Sequence, residues 1–247
     1  MQENVRARAQ LATGASIFLV FFTLLSALPL CSYWVSGLPL GTFSARHCIA
    51  PLAGMYLGGI LTLLLYAIKT LYALCAGGFI HMLTLANYLP SLGAAAYLAA
   101  ITPQRKNTGM HVGAALIPLV CLAFFLVHPI GTQAPAYTLV WLIPILTAWF
   151  AKAPFFIQAL AGTCTAHAIG STLWLYAGLI PDAIMLHQLI PCVIIERLFF
   201  ALGITSLHLF ISWASNRLVR PWLHYMPQNV TNHRTKKLFG REKWREK

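Results

Sequence analysis

The sequence predicts an all-α fold: a polytopic transmembrane helical bundle of about seven hydrophobic segments and roughly six to eight crossings. Three observations predict it. The 247 residues are 59% hydrophobic and 9% charged, where a soluble domain carries about 25% charged residues, and the mean hydropathy is +0.72. Several apolar runs reach the roughly 20 residues that cross a bilayer. The sparse charges fall mainly in connections. Between Asn107 and Ser215 they are Lys152, Asp182, Glu196 and Arg197, and the adjacent pair Glu196-Arg197 lies inside an apolar run. Apolar runs without alternation exclude a barrel and leave helices as the means of satisfying every backbone group in lipid.

Each element follows in order. Residues 1–15 form a polar segment with Arg6 and Arg8. A signal peptide starts in the same way, but the apolar run continues past Pro29 to Trp34 with no small-residue cleavage site, so an uncleaved first span is expected over 16–35. The connection 36–50 carries Gly37, Pro39, Gly41, Arg46 and His47, and the second span, 51–68, ends at Lys69. The run 71–101 contains Pro90. As one helix it would be ~46 Å long against a hydrocarbon core of ~30 Å, so it is either one long kinked helix or a span followed by a short re-entrant piece. Arg105 and Lys106 mark the next connection. Span four is 110–127, and an uncharged turn over 128–135 leads to span five, 136–151. After Lys152 and Pro154, span six covers 155–179. Ile180-Pro-Asp182 turns the chain into span seven, 183–213, with Pro191 near its start. The membrane domain is therefore 16–219 and the basic tail 220–247.

The charge distribution sets the orientation. Of the 17 Lys and Arg residues, nine lie from Arg217 onward, and the net charge is +12. Because this tail abuts a span, it reads as a cytoplasmic, lipid-attracting anchor and not as a nucleic-acid surface. Counting back, Asp182 falls outside, Lys152 inside, 128–135 outside and Arg105/Lys106 inside, in agreement with the positive-inside bias at each step. Both termini lie inside if an extra short crossing falls in 36–50 or 71–101. The expected location is the cytoplasmic membrane of a bacterium or archaeon. Asn229-Val-Thr231 fits a glycosylation sequon, but on the cytoplasmic side it is unused. The six Cys form no CxxC and read as small apolar packing residues.

Three groups of residues stand out as candidate substrate-binding positions. Glu196 and Arg197 sit at bilayer depth, where a charge costs at least ~2.5–3.5 kcal/mol on insertion scales. Adjacent helical residues project about 100° apart and do not face one another well, so each is expected to find its partner on a neighbouring helix or in a cavity, either as a functional pair or as an interhelical clamp. Arg197 and His208, 11 residues apart, share a helix face and are placed to line one cavity. Thr163, His167, Ser171 and Trp174, at spacings of 4, 4 and 3, form one stripe on span six. That stripe is either the polar lining of a small-molecule pocket or interhelical hydrogen-bonding glue. The nine His residues form neither HxxxH nor HExxH, so no metal site is expected. Gly54-x-x-x-Gly58-Gly59 and Gly93-Ala-Ala-Ala96 permit close helix approach, inside the chain or against a partner subunit.

No GxSxG, Walker A sequence or carboxylate pair is present, so neither acid–base hydrolysis nor self-powered ATP use is equipped, and no catalytic residue or cofactor is assigned. The stretch Gly37-Leu-Pro-Leu-Gly-Thr-Phe-Ser-Ala-Arg-His-Cys-Ile-Ala-Pro-Leu-Ala-Gly-Met-Tyr-Leu-Gly-Gly59, with Gly77-Gly-Phe-Ile-His81 after it, resembles the early region of the substrate-binding S components of energy-coupling factor transporters. There a Pro/Gly-containing external segment leads into a small-residue-rich helix. The resemblance implies binding of a vitamin-like micronutrient and reliance on an ATPase module in other chains. The expected function is an integral membrane protein that binds or translocates a small molecule, in contact with membrane lipid and partner membrane subunits. The alternative is a non-catalytic membrane subunit or assembly scaffold, and a membrane-embedded enzyme comes third.

Overall fold

The computed structural model describes residues 13, 16, 29–35, 38–44, 46–75, 82–101, 108–150 and 153–225. Most of the N-terminal segment, the start of the first expected span, 77–81, Arg105, Lys106, Lys152 and the basic tail beyond residue 225 lie outside the described residues. The chain divides into two compact units, Val20–His208 and Met1–Leu19 with Leu209–Lys247.

The described residues are overwhelmingly helical, so the all-α class holds, with one local exception. Where the end of the first span and its connection were expected to be helix and loop, strands β1 (Pro29–Val35) and β2 (Leu38–Ser44) pair antiparallel. Tyr33-Trp34-Val35 and Thr42-Phe43 are strong strand formers, and Pro29 and Pro39 disfavour continuing a helix. The register shifts between Pro29 and Cys31 and again between Tyr33 and Trp34.

Helices α1 (Arg46–Leu57) and α2 (Gly59–Cys75) replace the single second span. The break is Gly58, with φ +82, a left-handed conformation that only glycine adopts without steric cost. The run 71–101 belongs to two helices, the end of α2 and α3 (Met82–Ile101), which carries Pro90. Then come α4 (Thr108–Val127) and a short turn of helix, α5 (Pro129–Thr132), which His128 caps by accepting from the Ile130 amide at 3.3 Å. Span five divides into a 3₁₀ segment, Pro135–Trp141, and α6 (Leu142–Trp149). Helix α7 (Phe155–Tyr176) ends in a Schellman motif: the Gly178 amide donates to the Leu175 carbonyl at 3.2 Å and the Leu179 amide to the Trp174 carbonyl at 3.0 Å. Gly178, at φ +71, supplies the left-handed residue that motif requires. Helix α8 (Ala183–Tyr225) starts on Asp182, whose carboxylate accepts from the Met185 amide at 2.8 Å.

In the larger unit α3 packs mainly on α7 and on α1, and α4 packs on α6 and α7. Small residues bring these backbones together. A Cβ on Gly54 would fall on the Ala95 carbonyl oxygen, and one on Gly162 would lie 3.3 Å from Leu98 Cγ. Gly93 faces Ile169. The glycine faces of α1 and α3 are thus used within the chain. The α3 core is Ala94, Ala95, Tyr97 and Leu98, each fully buried, and the Tyr97 hydroxyl donates to the Pro144 carbonyl at 2.7 Å. In the smaller unit Ile211 and Ser215 are buried, the Ser215 hydroxyl donates to the Ile211 carbonyl at 2.6 Å, and the Arg217 guanidinium lies 5.9 Å from the Trp213 ring.

Among the described residues one helix, over Ala183–Leu218, is long and apolar enough to cross a membrane. The apolar stretches Cys48–Leu57, Tyr88–Ile101, His111–Val127 and Pro135–Trp149 are shorter. Breaks at Gly58 and at the 3₁₀ segment shorten runs that read as continuous in sequence.

Candidate functional site

The α7 stripe is the centre of the candidate site. Helical spacing puts Thr163, His167, Ser171 and Trp174 near one face. Thr163 and Ser171 are buried, while His167 and Trp174 are partly buried. The Ser171 hydroxyl sits 3.1 Å from the Tyr137 hydroxyl and 3.4 Å from the His167 ring nitrogens. Tyr137 and Trp141 come from the 3₁₀ segment, with ring centroids 5.3 Å and 6.3 Å from that of His167. Phe125 of α4 stacks on Tyr137 at 5.7 Å and meets Trp141 edge-on at 5.0 Å. Trp174 packs against this cluster, which Leu186 and Val193 of α8 close. Trp141 is fully buried, and its indole N–H has no hydrogen-bond partner. Such a group normally finds one.

Thr163 points into a second part of the site. Its hydroxyl donates back to the Leu160 carbonyl at 2.8 Å, and its own carbonyl accepts from Arg197 Nη1 at 3.2 Å. Arg197 Nη2 also pairs with Glu196 Oε1, the two side chains being 12% and 16% exposed. This corrects the expectation that each of the adjacent charges finds its partner elsewhere than in the other. The backbone separation is real, but both side chains are long enough to curl around the helix. The expected reach to another helix holds for Arg197, through a backbone carbonyl and not through a charge. The Arg197 guanidinium also lies 4.9 Å from the Phe200 ring centroid, and its buried Nε has no partner.

His208 belongs to a different neighbourhood. Its Nδ1 is 2.9 Å from the Tyr56 hydroxyl of α1, and its ring stacks on Phe155, at the start of α7, at 4.1 Å. The expectation that Arg197 and His208 line one cavity is therefore corrected: three helical turns separate them, and each turn of α8 meets a different neighbour. Two described cavities lie elsewhere. One, of about 570 Å³, is bounded by Leu146, Trp149, Phe150 and Ile157 at the α6–α7 connection. The other, of about 350 Å³, lies between α2, α3, α4 and α7. Neither is lined by Thr163, His167, Ser171, Trp174, Glu196, Arg197 or His208.

Sequence reasoning missed Tyr137, Trp141 and Tyr56. For the first two a signal existed: two amphipathic aromatics at i and i+4 in an otherwise apolar run. Among the described residues no three His, Cys, Asp or Glu side chains converge to hold a metal. The polar groups brought together, imidazole, hydroxyls, indole N–H and guanidinium, suit hydrogen bonding to an acceptor-rich or anionic group. They do not form a nucleophile–base–acid set, because the nearby carboxylate is held by Arg197. No known protein family, curated protein or solved structure matches the chain.

Proposed function

We propose that the chain is an integral membrane protein that binds or translocates a small molecule through the α7–α8 polar cluster. The observation that carries the reading is unspent donor capacity inside an apolar body. Arg197 Nε and Trp141 Nε1 are both buried without partners, and a buried unsatisfied donor costs about 1–3 kcal/mol. A ligand carrying a carboxylate or carbonyl offsets that cost. The outward faces support lipid as the surrounding solvent. Ile60, Leu64 and Ile68 on α2 and Val112, Leu116 and Phe124 on α4 are all more than half exposed, a pattern soluble monomers rarely carry as a contiguous patch.

The finer reading has about seven membrane segments, a cytoplasmic tail and residence in a bacterial or archaeal cytoplasmic membrane. The resemblance to energy-coupling factor S components makes the ligand a vitamin-like micronutrient, with a separate ATPase module in other chains. Gly54 and Gly93 pack within the chain, against Ala95 and Ile169, so the alternative, a non-catalytic membrane subunit or scaffold, would draw on other surfaces.

The test is a thermal-shift screen of the detergent-solubilised full chain against water-soluble vitamins, with Arg197→Lys and Glu196→Gln alongside. A ligand that binds the folded state raises Tm by mass action. The expected result is a shift in the wild type that Arg197→Lys loses while staying folded, since Lys cannot reproduce the guanidinium fork, and that Glu196→Gln, which keeps the guanidinium and removes its competing carboxylate, retains. Equal shifts in all three proteins refute the assignment and leave a structural clamp.

A further inference from the structure

We propose that the α7–α8 cluster takes up a monocarboxylate anion together with one proton: the anion replaces Glu196 on Arg197, and Glu196 accepts the proton. The proposal rests on the small-molecule reading above and deepens it, because it names the ligand class and couples binding to pH. From residue 153 to residue 216 the sequence holds one Lys or Arg, which is Arg197, and two acids, Asp182 and Glu196. Asp182 caps the start of α8, so Glu196 is the acid that neutralises the interior cation.

Arg197 has anchors that do not depend on Glu196. Its Nη1 donates to the Thr163 carbonyl of α7 at 3.2 Å, and its guanidinium lies 4.9 Å from the Phe200 ring centroid. Nη2 meets Glu196 Oε1. Withdrawing the Glu196 carboxylate therefore frees Nη2 and leaves the guanidinium held. Glu196 has no second hold: among the described residues its carboxylate is paired with Arg197 alone. The Arg197 and Glu196 side chains keep 12% and 16% of their surface, so neither is sealed off. The positions one turn from Glu196 along α8 are Cys192, Val193, Phe199 and Phe200, and none carries a charge or a strong donor to receive a displaced carboxylate.

A carboxylate pushed off Arg197 is left among apolar side chains, where an isolated charge is costly. The neutral acid is the form those surroundings accept. Charge balance agrees. The resting set is cationic Arg197 with anionic Glu196; the loaded set is cationic Arg197, the ligand carboxylate and neutral Glu196. Both are neutral overall, and the proton passes from water to a Glu196 oxygen. A dianion would leave one negative charge uncompensated, and an uncharged ligand would not displace Glu196. The other titratable groups that feel the Arg197 charge are Cys164 and His167 of α7. A proton on His167 would set a like charge beside Arg197, so the proton is assigned to Glu196.

Isothermal titration calorimetry of the detergent-solubilised full chain with acetate, benzoate and nicotinate, and with nicotinamide as the uncharged control, tests the assignment. Repeating each titration in buffers of different ionisation enthalpy counts the protons taken up. The expected result is a monocarboxylate that binds the wild type with uptake of one proton, and up to about tenfold more tightly for each unit by which the pH falls. In Glu196→Gln, whose amide stands in for the protonated acid, the same anion is expected to bind without proton uptake and without pH dependence. If Glu196→Gln does not accumulate, the wild type decides alone: binding of the anion, isotope-labelled at its own carboxyl, should raise a protonated-carboxyl band of the protein in the infrared difference spectrum. Absence of that band, wild-type binding without proton uptake, uptake that persists in Glu196→Gln, or nicotinamide binding equal to that of nicotinate overturns the coupling and leaves the small-molecule reading standing. Binding of none of the anions overturns the proposal as well; the small-molecule reading falls with it only if the vitamin screen also shows no shift.

Discussion

Replacing Arg197 with Met separates the charge pair from everything else the residue does. Met keeps much of the aliphatic stem and removes the guanidinium. Two losses follow. One is the 3.2 Å hydrogen bond to the Thr163 carbonyl, for which a value near ~0.6 kcal/mol and at most ~1.7 is typical within a membrane. The other is the counter-charge of Glu196, which is 16% exposed. Stranding a buried carboxylate in this way costs about 3–5 kcal/mol, so the stranded charge dominates. At 1.4 kcal/mol per factor of ten, the folded-to-unfolded ratio should fall by more than about a hundredfold. The double variant Arg197→Met/Glu196→Gln strands nothing and should recover most of the loss, since neutral replacements of a buried pair are often near-neutral in stability. Unfolding by SDS titration in mixed micelles, followed by circular dichroism, measures all three proteins. A single variant no less stable than the double variant refutes the reasoning and shows that the pair is solvated by water or lipid headgroups.

Asp182→Ala removes the cap of α8, whose 2.8 Å bond satisfies the Met185 amide; a loss of about 1 kcal/mol in the same titration is expected, and no change would show that lipid or water replaces the cap. Gly54→Val places a side chain on the Ala95 backbone carbonyl, which has no rotamer to yield, so destabilisation at or above the ~1–3 kcal/mol typical of overpacking is expected; a wild-type titration curve would place α1 away from α3. Single cysteines introduced into a cysteine-free background should label with an impermeant maleimide in intact cells at Asp182 but not in the tail after Arg220, and the reverse pattern would invert the proposed orientation.

Local periodicity was enough to place several helices. The expected 110–127 corresponds to α4 (Thr108–Val127), and 155–179 to α7 (Phe155–Tyr176) with its Schellman cap. In both, an apolar run, its length and its flanking Pro or Gly are properties of neighbouring residues. The same holds for the shared face of Thr163, His167 and Ser171, which needs only 3.6 residues per turn. The break at Gly58 was less legible, because a glycine in an apolar run is compatible with a continuous helix until packing demands φ > 0. The 3₁₀ winding of Pro135–Trp141 and the strand pairing of Pro29–Val35 with Leu38–Ser44 depend likewise on contacts that composition does not carry.

Alone, the sequence determined that this chain is helical, apolar and nearly charge-free in its interior, and that Glu196 and Arg197 are its exceptional charges. Those are sums over local composition and spacing. The tertiary structure decided which groups the exceptional residues meet: Arg197 with Glu196 and the Thr163 carbonyl, His208 with Tyr56 and Phe155, and His167 beside Tyr137 and Trp141. Those partners come from elements tens of residues away or from side chains long enough to curl around their own helix. The physical reason is that backbone geometry follows from local spacing, whereas a polar group's partner is chosen by whatever packing brings within about 3 Å of it.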